Sequence, residues 1–391
     1  MRVAFYAPLK APDHPVPSGD RRMARGFADL LASLGHEVEL GCHFRSYDRD
    51  GDVVRQQRLA ALGVRLAEGL LQRYRQRPVA RRPQLWFTYH LYHKAPDWLG
   101  PVVSRTLGIP YVVAEASIAG KQAAGRWAAG HAASLAAIGA AASILAMTRL
   151  DLPGLEGAVT DQRRIELFPP FLDAGPFVAA CENRATTRRR LAADHRLDPQ
   201  QPWLLAVAMM RHDVKLQSFR LLAQALERVA DLAWQILLVG DGPARSDVEA
   251  LFAPFGDRVR FLGALPGTDL PEIYAAADLY VWPACNEAYG MALLEAQAAA
   301  MPVVAGAEGG VADVVADGIS GCLVKPRSPA DLAEAVRTLL LDPSQRRAMG
   351  QSAQMRVLSR HTTRVAGAKL AAIMAKLEAG MSIGADRCAS A

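Results

Sequence analysis

The chain has 391 residues, 51% of them hydrophobic and 21% charged, with a net charge of +6. That length is too great for one ordinary core and fits two globular domains of about 150–200 residues. The five cysteines, Cys42, Cys181, Cys285, Cys322 and Cys388, include no CxxC pair; neither a zinc site nor a disulfide framework is suggested, and a reducing cytoplasm is expected.

The opening "RVAFYA" reads as a buried strand; its apolar run before Pro8 is too short for a signal peptide. "DRRMARGFADLLASLG" has apolar residues at helical spacing and stops at Gly35, and "HEVELGC" returns as a strand. Residues 1–170 carry 22 Lys and Arg against 15 Asp and Glu, and Arg49 to Arg82 alone holds nine arginines against three acids. This run is a solvated helical face or a surface for anionic lipid headgroups or an anionic acceptor. It lacks any nucleic-acid module, so no nucleic acid is expected as a partner. The strands "QLWFTY", "PYVVAEA" and "SILAMT" come next. Between the last two, the uncharged stretch from Trp127 to Met147 is mostly alanine and reads as a helix ending near Gly139 rather than a membrane span.

The alternation breaks in the Pro-rich Ile165 to Phe177, which places a join there and domains at 1–172 and 173–360. The second half repeats the theme with "WLLAVAMM", "WQILLVG", "VRFLG", "DLYVWP" and "PVVAG". Helices continue beyond Asp342; one near 360–380 can pack back on the first domain, and a polar tail after Gly380 reads as disordered. Apolar strands alternating with helices imply parallel sheets covered on both faces. The fold class is therefore α/β, with two Rossmann-like doubly wound domains facing a cleft. Ligands of such sheets bind at the carboxyl ends of the strands.

Three loops at those ends carry chemistry. After "WLLAVAMM" come Arg211 and Lys215, four apart just before a helix, a planar fork and a mobile point charge suited to a diphosphate. After "WQILLVG" comes Gly240-Asp-Gly-Pro243, a tight turn permitting close approach of a ligand. After "DLYVWP" comes "NEAYGMALLEAQAAAMPVVA", an apolar segment with two carboxylates, Glu287 and Glu295, and Gly290 between them. Gly290 starts a helix whose first amides, at Gly290, Met291 and Ala292, can hold phosphate oxygens. Eight positions span roughly 12 Å if largely helical, about a diphosphate with a sugar ring on each side. Glu287 then accepts from donor-sugar hydroxyls and Glu295 from ribose. The same separation argues against a glycosidase, whose carboxyl groups stand about 5–9.5 Å apart. No GxGxxG follows a strand, which disfavours a hydride-transfer enzyme.

Glu-x7-Glu with Gly290 between, followed by "EAQAAAMPVVAGAEGGVADVVADGISGCLV", resembles the donor-binding signature of the family 4 retaining glycosyltransferases of the GT-B fold. The likeness extends through "AMMRHDVK", "LLVGDGP" and "VRFLGALPGTDLPEIYAAADLYVWPA", roughly Trp203 to Pro326. It implies an enzyme that moves a hexosyl group with retention from a UDP- or GDP-sugar to a glycan, lipid-linked or small-molecule acceptor, with no metal or other cofactor; the cysteines point to the cytoplasm, and the basic run to the inner face of the cell membrane. Carried across, Arg211 and Lys215 bind the diphosphate; Glu287, Gly290, Met291 and Ala292 hold the sugar and phosphate; Glu295 holds the ribose; and Gly263 borders the base. The first-strand loop reads Ser18-Gly19 where the family usually has paired glycines, with Gly19 on the donor side. The family often has a histidine after the fourth strand, where this chain has Ala116; His90, His93 and Glu115 are the candidates to replace it. A sugar-nucleotide epimerase on the same fold, and a non-catalytic nucleotide-sugar binder, are the competing expectations.

Overall fold

The computed structural model describes residues 1–16 and 18–389, with side chains through residue 380. The chain divides into two compact units: Met1–Pro170 together with the segment from Thr363, and Phe171–Thr362.

In the first unit β1 (Arg2–Tyr6), β2 (Glu37–Cys42), β3 (Leu85–Leu91), β4 (Tyr111–Ala116), β5 (Ser143–Ala146) and β6 (Ile165–Leu167) pair in the order β2-β1-β3-β4-β5-β6. Every pairing is parallel. Buried on both faces, such strands read as continuous apolar runs. Among the buried rings, Phe27 of the first helix lies 5.5–5.6 Å from Phe87, Tyr89 and Phe168, and a separate cluster gathers Tyr6, Tyr74, Trp86 and Tyr111. Around this sheet run α1 (Gly19–Ser33), α2 (Val53–Gln76) and α3 (Gly100–Leu107).

In the second unit β7 (Trp203–Val207), β8 (Gln235–Val239), β9 (Val259–Gly263), β10 (Leu279–Trp282), β11 (Val303–Gly306) and β12 (Gly321–Val324) pair in parallel in the order β12-β11-β10-β7-β8-β9. Two of its helices, α4 (Val214–Glu227) and α5 (Met291–Ala298), begin just beyond the carboxyl ends of β7 and β10. The last helix, α6 (Thr363–Ala389), belongs to the first unit. There Lys369 donates to the carbonyl of Leu167, and Lys376 Nζ lies 3.1 Å from Glu166 Oε1.

The structure differs from the sequence reading in three places. The Pro-rich stretch taken as the join contains β6, a three-residue edge strand paired to β5 through Ile144 and Ile165. "GCLV" forms β12, and a Cβ at Gly321 would lie 2.2 Å from the carbonyl oxygen of Val303. The polar segment beyond Gly380 is helical as far as Ala389, because α6 does not stop where the apolar pattern does; Ser390 and Ala391 lie outside the described residues. The Ala-rich stretch forms a helix over Ala128–Ala140, and no helix among the described residues is long and apolar enough to cross a membrane.

One buried carboxyl organises the junction between β3 and α3. Asp97 is 2% exposed. Its Oδ1 accepts from the amides of Leu99 and Gly100 at 2.8 Å each, and its Oδ2 from Thr88 Oγ1 at 2.6 Å and Tyr111 Oη at 2.8 Å. Burial raises its pKa while these donors oppose the rise. Asp97→Ala would leave two hydroxyls and two amides without their acceptor; we expect a loss of about 3 kcal/mol or more of unfolding free energy, measured by urea denaturation.

Candidate active site

In the second unit the strand order reverses between β7 and β10: β8 and β9 lie to one side, β11 and β12 to the other. Loops leaving two such neighbours run to opposite faces of the sheet and open a crevice at their carboxyl ends. Both carry charged side chains.

The loop after β7 is braced by the glycine turn after β8. Ala208 N donates to Val239 O at 3.0 Å, and Met210 N to Asp241 O at 2.9 Å. A Cβ at Gly240 would meet Ala208 O at 1.9 Å, and one at Gly242 would meet Met210 O at 2.3 Å. Only glycine permits that approach. Beyond it Asp213 caps α4, its Oδ1 accepting from Lys215 N at 2.8 Å, while its Oδ2 pairs with Arg211 Nε at 3.0 Å. Capping thus sets Lys215 in the first turn of α4.

Lys215 Nζ lies 2.5 Å from Glu287 Oε2, and the two side chains are only 16% and 19% exposed. Trp282 Nε1 donates to the same oxygen at 3.4 Å, and the ammonium sits 5.5 Å from the centre of the Trp282 ring. The loop that presents Glu287 is bent hard: φ is positive at Ala284 (57°), Asn286 (49°) and Gly290 (79°). For the two non-glycine residues this stores strain of about 1–3 kcal/mol each. The loop is held from two sides. Cys285 N donates to Ser218 Oγ of α4 at 3.2 Å, and Gly310 N donates to Ala288 O at 2.7 Å. Behind it Gly309 passes so close that a Cβ would lie 1.8 Å from Glu287 O.

Gly290 is the cap residue of α5, and Met291 and Ala292 open the helix, where the first amides have no partner within the helix. Glu295, one turn further on, is 3% exposed. Gly263 ends β9, and its carbonyl accepts from Gly240 N at 2.8 Å, which sets it beside the glycine turn. The structure therefore brings Lys215 and Glu287 into contact near the start of α5. It leaves Arg211 half-exposed against Asp213 rather than joined to them.

The first unit repeats the device. Its strand order reverses between β1 and β3. Gly19 opens α1, capped by Ser18 Oγ accepting from Arg21 N at 3.2 Å. The next residue, Asp20, places Oδ1 3.0 Å from His90 Nδ1 at the end of β3, and Glu115 Oε1 of β4 lies 3.5 Å from the same nitrogen. Tyr89 Oη donates to Glu115 Oε2. His90 and Glu115 both have positive φ, 59° and 55°. Burial opposes charge on the His90 ring, but Glu115 and Asp20 outweigh it and raise its pKa to about 9. Burial likewise pushes Asp20 up, and the His90 contact holds it below the usual carboxylate range. Asp20, His90 and Glu115 offer ligand atoms within 4.8 Å of one another, yet a ring that keeps its proton to about pH 9 competes with a cation there. His93 stands apart: its ring packs edge-on against Trp127 at 5.6 Å, and burial, with Lys94 next, lowers its pKa to about 4.

Sequence reasoning missed Asp20, Tyr89, Trp282 and Asp213. The cap position of Asp213 before a helix was the one available signal. A histidine raised from 6.5 to about 9 stabilises the fold below pH 6.5, and that contribution is lost as pH climbs through 9. Unfolding free energy should fall by on the order of 3 kcal/mol between those pH values. His90→Gln should flatten the fall in urea titrations spanning the same range.

Residues 201–342 match the family model described as Glycosyl transferases group 1. The D-inositol 3-phosphate glycosyltransferase of Salinispora tropica is 36% identical over 206 residues, a match covering 50% of this chain and 42% of that protein. The chain spans about half the length of the curated relatives it matches. The structure of sucrose-phosphate synthase from Thermosynechococcus elongatus superposes with a TM-score of 0.75 at 21% identity, over 97% of this chain and 100% of that one. HepE from Anabaena in complex with UDP-glucose gives a TM-score of 0.69 at 18% identity, over 96% and 100%. At such identities these likenesses carry the fold alone: the two six-stranded parallel sheets with flanking helices match those of GT-B structures. Residues 201–342 thus carry the likeness to the glycosyl transferases group 1 model, and the fold of the chain is similar to that of the solved glycosyltransferase structures.

Proposed function

We propose that the chain transfers a hexosyl group from a UDP- or GDP-sugar to a glycan, lipid-linked or small-molecule acceptor, with retention and without a metal. The observation that carries this reading is the Lys215–Glu287 contact of 2.5 Å at the crevice where the second sheet reverses its order. It puts a phosphate-binding cation and a hydroxyl-binding carboxylate side by side, a short step from a helix amino end. The UDP-glucose bound by the structural neighbour from Anabaena supports the donor class.

In this reading Arg211 and Lys215 neutralise the diphosphate as it leaves, and the amides of Gly290, Met291 and Ala292 add donors at the positive end of α5. Glu287 accepts from the sugar hydroxyls and Glu295 from the ribose, while Gly263 borders the base. The bond from the anomeric carbon to phosphate oxygen breaks, a bond to the acceptor oxygen forms on the same face, and the acceptor proton passes to the leaving phosphate. No protein nucleophile is required. On the acceptor side, His90, held charged by Asp20 and Glu115, donates to substrate oxygen and His93 takes no part; Gly19, ahead of Asp20 at the start of α1, serves the donor.

Lys215→Ala and Glu295→Ala should each weaken nucleotide-sugar binding at least tenfold, the worth of about 1.4 kcal/mol, in protein that circular dichroism shows still folded at the assay temperature; both should also lower the melting temperature, the first by unpairing Glu287 and the second by emptying a buried position. Calorimetry with UDP-glucose and GDP-mannose reads this, and unchanged affinity in both variants would refute the site. Tight binding without transfer to any of a panel of sugar, polyol and lipid-linked acceptors would favour a binding protein; free UDP released only with acceptor present excludes an epimerase.

We further propose that this is a cytoplasmic enzyme whose first unit rests on anionic membrane. On α2, Val54, Arg58, Arg65 and Arg75 are exposed at successive steps of four, seven and ten, which keep them on one side of the helix, and Val64 and Val79 are also exposed. Within the basic run, Arg77 pairs with Glu39 at 2.8 Å and Arg73 donates to Gly41 O at 3.1 Å, so those two serve the fold. Changing Arg58, Arg65 and Arg75 to Glu should abolish sedimentation with phosphatidylglycerol vesicles at low salt, whereas salt-insensitive binding would contradict the proposal.

A further inference from the structure

Lys215 has two anionic claimants. One is Glu287, at 2.5 Å with both side chains more than four-fifths buried; the other, on the donor reading above, is a diphosphate. Resting on that reading, we propose that Glu287 discriminates the intact nucleotide sugar from the free nucleoside diphosphate by holding the lysine that a phosphate needs.

Charge balance around Lys215 sets the preference. A diphosphate arriving without sugar either draws Lys215 away or crowds a third charge around one cation. In the first case the partly buried Glu287 carboxylate keeps, among the described residues, the Trp282 N–H at 3.4 Å, and stripping a buried charge of its partner is costly. A nucleotide sugar brings hydroxyls to the same place. They donate to the carboxylate as the ammonium turns to phosphate, so the cost is offset for the intact donor alone. Once the sugar has left with the acceptor those hydroxyls are gone. Glu287 then recaptures Lys215 and loosens the remaining diphosphate, which favours product release. The fixed geometry of the loop matters here. Ser218 and Gly310 hold it through Cys285 and Ala288, so Glu287 stays within reach of Lys215.

The test is calorimetric titration of the full chain with UDP and UDP-glucose, and in parallel GDP and GDP-mannose. Glu287→Gln should tighten binding of the free diphosphate by about three- to tenfold, as expected for release of one partly buried ion pair, while weakening the intact donor. In a Lys215→Met background the same change should leave diphosphate affinity unmoved, since the claimant has gone. If Glu287→Gln weakens both ligands equally, or tightens the diphosphate even without Lys215, the inference is overturned. Binding of neither ligand pair to the unaltered protein would overturn the donor reading itself and this inference with it. Glu287→Asp, which withdraws the carboxylate by one methylene, reads the same ratio should the glutamine variant fail to fold.

Discussion

A parallel sheet buried on both faces must send its connections over one face or the other, and where the direction changes two neighbouring strands part company above their carboxyl ends. This constraint organises both units of the chain. In the second, β7 and β10 are the parting strands, and the loops they release carry Lys215 and Glu287. In the first, β1 and β3 part, leading to Asp20 and His90, with Glu115 from the adjoining β4. Neither charge cluster would exist with the same residues on a sheet wound in one direction.

The two clusters solve the same electrostatic problem. A charge in a crevice loses hydration and is tolerated only beside an opposite charge and further hydrogen bonds. Lys215 is matched by Glu287 with Trp282 alongside, and His90 by Asp20 and Glu115 with Tyr89 behind. In each case the presenting backbone sits in the left-handed region at residues that have side chains: Ala284 and Asn286 in one unit, His90 and Glu115 in the other. Strain of that kind persists only where surrounding structure enforces it. Four of the seven non-glycine residues with positive φ among the described residues lie at these two places, the others being Arg196, Ala300 and Arg327.

Much of the architecture was legible in the sequence because parallel strands buried on both faces announce themselves as apolar runs. What escaped were short edge strands. β6 has three residues in a Pro-rich stretch, and β12 has four beginning with a glycine, too few to show a period. The second unit's crevice was legible in its parts, since Arg211, Lys215 and Glu287 each stand shortly after an apolar strand. That Lys215 meets Glu287, 72 positions away, depends on strand order, which no local pattern encodes. The first unit's cluster was harder still. Asp20, His90 and Glu115 come from three separate elements, and a positive φ at a histidine or glutamate leaves no mark in the sequence. His93, three residues from His90, looks equally eligible until its ring is placed against Trp127.

Gly309 stands behind the carbonyl of Glu287 with no room for a methyl group. Substitutions across residues 286–289 therefore meet a wall that none of those residues forms. A bulkier neighbour introduced there can relax only away from Gly309, never backward. Laboratory evolution of this loop should accordingly find its freedom in side-chain length and polarity at unchanged backbone, with the Gly309-Gly310 pair as the immovable part of the mould.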